Sequence, residues 1–181
     1  MKLGGSLLKA GLLSRCLDKI EELYQHGLVI VVPGGGVFAD QVRDAQQQWC
    51  FDDRTAHCMA LLAMQQMALL FIGLKKKFVI ARSVADIQQY NNANQIVVWS
   101  PDIVELDQAG IPANWDITSD SLAVWLAASV RAQELLLVKC AEIKPNLSLS
   151  ELAKRGIIDK AFCYFAARTP INIQLINAQS W

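Results

Sequence analysis

Apolar residues fall along this chain in two alternating patterns, one at helical spacing and one in unbroken runs. From Leu12 to His26 the apolar positions are Leu13, Cys16, Leu17, Ile20, Leu23 and Tyr24, the stripe of an amphipathic helix. Gly27, tolerant of positive φ, is expected to end it. Leu28–Val32 then reads LVIVV with no polar alternation, which predicts an interior strand covered on both faces. Pro33-Gly34-Gly35-Gly36 closes that strand, and a helix is expected from near Val37. Further strands are predicted at Phe78–Ala81, Gln95–Trp99, Glu134–Val138 and Ile171–Ile176. Helices are predicted near Arg54–Leu74, Val84–Tyr90, Ser119–Arg131 and Ser148–Lys154.

This order of loop, helix, strand, loop and helix predicts an α/β fold, a three-layer αβα sandwich around a mostly parallel open sheet. Composition narrows the picture. The chain has 181 residues, 53% hydrophobic and 19% charged, enough for one well-buried domain and short for two. No internal repeat or Pro/Gly/Ser-rich linker divides it, so residues 1–181 are read as a single domain. Basic and acidic residues balance at 17 each, so no global field exists to hold nucleic acid or an anionic membrane. Met59–Gly73 is apolar but too short to cross a bilayer, and Gln65 and Gln66 interrupt it; a buried helix is expected there. The five cysteines are odd in number and lack disulfide rhythm, and no secretory leader precedes the first motif, so a reduced, cytoplasmic setting is expected.

Local chemistry concentrates in three segments. Lys2-Leu3-Gly4-Gly5-Ser6-Leu7-Leu8 combines a lysine with a turn whose amides can face phosphate oxygens, although an ordinary glycine turn near a chain end reads the same way. Lys2 itself reads as a flexible end residue of little packing value. Such a loop normally follows a strand, yet only Met1 precedes Lys2. The expectation is a first strand that is missing or cut short, or a start downstream of the natural one. In Val31-Val32-Pro33-Gly34-Gly35-Gly36 three glycines end a buried strand and feed a helix, the place where open α/β sheets bind ligands. In Trp115-Asp116-Ile117-Thr118-Ser119-Asp120-Ser121-Leu122-Ala123, Thr118 or Ser119 can cap a helix with Asp120 in its first turn. Capping alone accounts for Ser119 and Asp120, and would make Asp120 worth about 0.3–1 kcal/mol. It leaves Asp116 unexplained.

KLGGSLL, VPGGGVFAD and DITSDSLAVWLA, in this order over residues 2–140, resemble the amino acid kinase superfamily. The pairing of WDITSDSL with PGGGVFADQVR is most similar to the branch that phosphorylates an aminomethyl-furan-methyl phosphate in methanofuran biosynthesis, within C1 metabolism. Uridylate-type kinases are the next branch. The resemblance implies a homo-oligomeric kinase that uses ATP and Mg²⁺ on a small anionic acceptor. It implies that Lys2 bridges the transferring phosphoryl oxygens. Gly4, Gly5, Ser6, Thr118, Ser119 and Lys139 fall on the nucleotide and phosphate side, and Gly34, Gly35 and Gly36 on the acceptor side. Asp120 would orient the lysines, with Asp116 assisting or binding Mg²⁺ through water. An ionised phosphate or carboxylate acceptor needs no general base, so the presence of only His26 and His57 is no obstacle.

Some positions depart from the family pattern. Leu137-Val138-Lys139-Cys140-Ala141-Glu142-Ile143 stands where many relatives carry D-V-D-G, with Glu142 in place of the glycine. Near residues 160–165 the second lysine of the family has Lys160 as its nearest candidate and Tyr164 in the best register, and the tail beyond Phe162 is short. These departures leave a degenerate nucleotide- or oxyanion-binding protein as the alternative from another class. Cys50, His57 and Cys58 lack a fourth ligand, so no metal site is expected. Asp52, Asp53 and Arg54 read equally as solvated loop charges or as part of an acceptor pocket. Lys75-Lys76-Lys77 reads as a solvated helix end.

Overall fold

A computed structural model describes residues 1–24, 26–90, 94–143 and 147–181. Six described strands form one sheet, all pairs parallel. They are β1 (Lys2–Leu3), β2 (Leu28–Pro33), β3 (Val79–Ala81), β4 (Gln95–Trp99), β5 (Glu134–Lys139) and β6 (Asn172–Asn177), in the order β3-β4-β2-β1-β5-β6. The helices are α1 (Ser6–Lys9), α2 (Leu13–Leu23), α3 (Gly36–Trp49), α4 (Asp53–Leu74), α5 (Val84–Gln88), α6 (Ile103–Gln108), α7 (Ser119–Ser129), α8 (Leu149–Lys154) and α9 (Phe162–Ala166). Gln25, near the end of the first expected helix, lies outside the described residues.

Side-chain alternation along the strands builds a core on each face of the sheet. Val32, Val97, Trp99, Leu135 and Leu137 face one core, filled by Ile87, Leu106, Leu122, Leu126, Leu152 and Phe162 from α5 to α9. Val31, Ile96, Val98 and Val138 face the other, filled by Leu13, Leu17 and Ile20 of α2 and by Met67, Ala68 and Phe71 of α4. Leu61 and Met64 of α4 join the first core, so this helix serves both.

The first strand is present, two residues long. Lys2 pairs with Val32 on one side and Leu137 on the other, and the Met1 amine donates to the Ile30 carbonyl at 2.6 Å. Lys2 is not a flexible end residue; it is 3% exposed. α4 starts one residue before the helix expected at Arg54–Leu74 and extends beyond the apolar Met59–Gly73 stretch. At 22 residues it is long and apolar enough, by length and composition, to cross a membrane, but its buried residues pack along the sheet and α3. Lys75 is not solvated: its ammonium meets Asp18 and Glu21 at 2.6 Å each and ties the end of α4 to α2. Short helices α1, α6 and α9 carry too few residues for a periodic pattern and were not expected. Asp52 caps α4 through the Thr55 amide and hydroxyl, Asp53 accepts from Gln46, and Arg54 pairs with Asp107. All five cysteines are free, and no group able to hold a metal ion occurs among the described residues.

The two glycine loops touch backbone to backbone. A Cβ on Gly5 would lie 2.4 Å from the Gly36 nitrogen, and one on Gly34 would lie 2.5 Å from the Gly5 nitrogen. No rotamer relieves a clash with backbone. Gly5→Ala is therefore expected to destabilise the fold by about 1–3 kcal/mol, the cost of overpacking. Urea unfolding of the variant checks this, and an unchanged midpoint would mean that the loops can part freely.

Candidate active site

The two glycine loops converge because β1 and β2 are adjacent and parallel and the loops that follow them emerge on one edge of the sheet; Lys139 at the end of neighbouring β5 and the start of α7 meet them there. This edge lies at the carboxyl ends of the strands, where open α/β sheets place ligands. Lys2 pairs with Leu137 in register, and Lys139 lies two residues beyond it, so strand alternation puts both lysines on one face. α7 covers that face and brings Asp120 down from its first turn.

Lys2 Nζ lies 2.7 Å from Asp120 Oδ1, and Lys139 Nζ lies 2.6 Å from Asp120 Oδ2. The side chains of Lys2, Asp120 and Lys139 are 4%, 6% and 12% exposed. One carboxylate thus holds two ammonium groups, and the cluster carries a net positive charge out of water. Burial alone would raise the Asp120 carboxyl, but Lys2 and Lys139 outweigh it and hold its pKa below the ordinary value. Burial, reinforced by the Lys2 charge, lowers the Lys139 ammonium to about 8. Asp120 is far more than a surface carboxylate on a helix dipole.

The first turn of α7 is capped from a distance. Asp159 accepts from the Thr118 amide at 2.8 Å, the Thr118 hydroxyl at 2.9 Å and the Ser121 amide at 3.0 Å, and also from the Ser121 hydroxyl. Neither Thr118 nor Ser119 caps the helix with its own side chain, contrary to the local reading. Asp159 gave no sequence signal, because a residue 38 positions away reaches this turn only through the tertiary fold.

Between the glycine loops, α3, α4 and the start of α7 lies a cavity of about 320 Å³. Gly5, Ser6, Gly34, Gly35, Gly36, Thr118 and Ser119 line one end. Ala60, Leu61 and Met64 of α4 form an apolar wall, and Trp115 faces the same space. The Trp115 indole is fixed: its N–H donates to Gln46 at 2.6 Å and the Arg43 guanidinium lies 4.2 Å from its ring centroid. His57 lines the cavity, and burial lowers its pKa, which favours neutral imidazole. Lys9, Asp40 and Arg43 are the charged lining groups.

The expected residues fall into distinct positions. Gly5, Ser6, Gly34–Gly36, Thr118 and Ser119 share the cavity, whereas Lys2, Lys139 and Asp120 form the buried cluster. The Gly4 and Gly34 amides are taken by the carbonyls of Val138 and Leu3, at 2.9 Å each, so neither faces a ligand. The amide of Gly36, the first residue of α3, has no intrahelical partner. Asp116 stands apart: its exposed carboxylate pairs with Lys160 at 2.9 Å and its carbonyl accepts from the Ala161 amide. Lys160 is thereby a surface partner, and Tyr164 is exposed beneath Arg168. With both Asp120 oxygens facing ammonium groups and Asp116 at the surface, these residues do not form a protein-built Mg²⁺ site.

The chain is similar to the [5-(aminomethyl)furan-3-yl]methyl phosphate kinase of Methanocaldococcus jannaschii, at 24% identity over 111 residues. The match covers 60% of this chain and spans half the length of that curated relative. Among solved structures, the uridylate kinase from Archaeoglobus fulgidus superposes with a TM-score of 0.73 at 17% identity, covering 99% of this chain and 92% of that one. The UMP kinase from Ureaplasma parvum gives 0.69 at 16%, covering 97% and 87%. At such identities these likenesses establish the fold. The sequence pattern of the amino acid kinase family matches residues 1–141, a stretch that holds both glycine loops, the start of α7 and all three members of the buried cluster, and the chain belongs to that family.

Proposed function

We propose that the protein is a kinase that moves the γ-phosphoryl group of MgATP onto a small anionic acceptor. The observation that carries this reading is the Lys2–Asp120–Lys139 cluster beside the glycine loops. Donor and acceptor are both negative, so the barrier is dominated by bringing like charges together. A cluster of net positive charge, held rigid and shielded from water, counters that repulsion without reorganising. Asp120 keeps two ammonium groups close that would otherwise repel. Gly5, Ser6, Gly36, Thr118 and Ser119 contribute polar and backbone groups at the same end of the cavity. Mg²⁺ arrives with the donor and is carried by its phosphates.

Within this reading the acceptor is an aminomethyl-furan-methyl phosphate, supported by the similarity to the kinase named for it and by a cavity with an apolar wall and an aromatic side chain. A uridylate-type kinase is the second reading, favoured by the fold likeness to uridylate kinases. A binding protein without turnover is the third, favoured by Glu142 where the family carries glycine. Turnover assayed with MgATP and each acceptor separates it from both kinases, and calorimetric titration with MgATP then shows whether the nucleotide site is kept. The reading includes a cytoplasmic homo-oligomer. Leu62 and Leu69, two turns apart on α4 and 46% and 64% exposed, offer an apolar stripe for a second copy. Leu69→Glu is expected to shift sedimentation to the monomer; an unchanged assembly would place the contact elsewhere.

Lys2→Met removes one charge from a net-positive cluster and leaves a neutral pair, so the fold should keep its stability. Turnover should fall by about 10²–10³, as when one transition-state contact is lost. Asp120→Asn instead leaves two buried ammonium groups without their counter-ion. It is expected to lower turnover and also stability, by about 3–5 kcal/mol. Paired kcat and unfolding measurements check both, and normal turnover in Lys2→Met would make the cluster structural.

pH acts on Lys139 in opposite directions. Its ammonium is lost as pH rises through about 8, so kcat/KM should fall there. In the unfolded chain the same lysine keeps its proton to about 10.4. The unfolded state therefore binds more protons between these values, and Lys139 should make the fold more stable as pH rises across that window. A pH–rate profile beside unfolding curves tests the pairing, and parallel trends would rule it out.

A further inference from the structure

We infer that Asp40 is a specificity residue that selects an acceptor carrying a cationic amine on the side of its ring opposite the phosphate. The inference rests on the kinase reading for its biological sense, but its physical basis is the cavity itself.

Gly36, Val37, Ala39, Asp40 and Arg43 of α3 all line the cavity, one stripe down a single helix face. A helix rises about 1.5 Å per residue, so Asp40 stands about 6 Å beyond Gly36 and Arg43 about 10 Å beyond it. Amides in the first turn of α3 lack intrahelical partners, and the positive end of the helix dipole faces the glycine loops. An acceptor phosphate at that end leaves one helical turn between the anion and the Asp40 carboxylate. A five-membered ring with two single-carbon arms spans a gap of that kind.

Asp40 is the one acidic residue among the described residues lining the cavity, against Lys9 and Arg43. Arg43 is committed to the face of Trp115. Lys9 reaches Asp40 only loosely, at 3.6 Å, with its side chain 74% exposed. An ammonium on the ligand can replace it at the carboxylate, while the ring that carries it gains apolar contact from Ala60, Leu61 and Met64. His57, which burial keeps neutral, adds no charge to repel that ammonium. A uracil ring carries no positive charge and can offer Asp40 only a neutral N–H hydrogen bond.

The test is calorimetric binding of [5-(aminomethyl)furan-3-yl]methyl phosphate and of its hydroxymethyl counterpart, which keeps ring and phosphate and loses the positive charge. The Asp40 side chain is 54% exposed, so solvent screening limits the pair, and the native protein is expected to bind the amine about fivefold tighter, a difference near 1 kcal/mol. Asp40→Asn should bring the two to about equal affinity, since the charge contribution is lost. Asp44→Asn, on the exposed side of α3, should keep the native ratio. Equal binding of the two compounds by the native protein, binding of neither, or an unaltered ratio in Asp40→Asn would each overturn the inference. Turnover is read separately with MgATP. Selective binding without phosphoryl transfer sinks the kinase reading and leaves Asp40 in place. Transfer with a ratio indifferent to Asp40 does the reverse.

Discussion

A single carboxylate holding two buried ammonium groups sets the geometry of this protein's central region. Lys2 comes from the middle strand, Lys139 from its neighbour and Asp120 from the helix packed above them. Each charge is expensive to bury alone, and two lysines together are worse. The cluster is tolerable only while β1, β5 and α7 keep their register, so the sheet order and the position of α7 are tied to one electrostatic requirement. That requirement also keeps the cluster net positive, the property that a reaction between two anions can use.

Glycine plays the complementary role. Two loops approach until their backbones touch, with Gly5 and Gly36 too close for any side chain between them. This contact closes the edge of the sheet beside the buried cluster and shapes one end of the cavity. The Gly4 and Gly34 amides are spent on joining β1 to its neighbours. Glycine density in such a loop thus serves backbone proximity as much as anion binding, and the two roles separate only when each amide is followed to its partner.

The long apolar runs made the sheet legible in the sequence: LVIVV, QIVVW and ELLLV have no alternative to burial on both faces. The helix after Thr118 and the glycine loops were equally plain from local pattern. What escaped were contacts between distant segments. Asp116 looked like a site residue because helix capping left it unexplained and the family resemblance offered it a role, yet the chain turns before α7 and exposes it to Lys160. Lys75 looked solvated because its neighbours are lysines, yet two carboxylates of α2 await it. Asp40, Arg43 and Trp115 stand inside the motif segments, but local pattern gave them no role; they meet only through the packing of α3 against the loop before α7.

Asp159 gives the tail of the chain a hold on its centre. A carboxylate between α8 and α9 supplies the hydrogen bonds that order the first turn of α7, the same turn that positions Asp120. The carboxyl-terminal segment and the charge cluster therefore form one cooperative unit: if the tail lifts, the helix start frays and the lysines lose their shared counter-ion. Amide hydrogen exchange at Ser121 would then follow the opening of the tail rather than global unfolding. A remote surface event, such as another molecule gripping α8 or α9, would reach the cluster through one side chain, with no movement of the sheet.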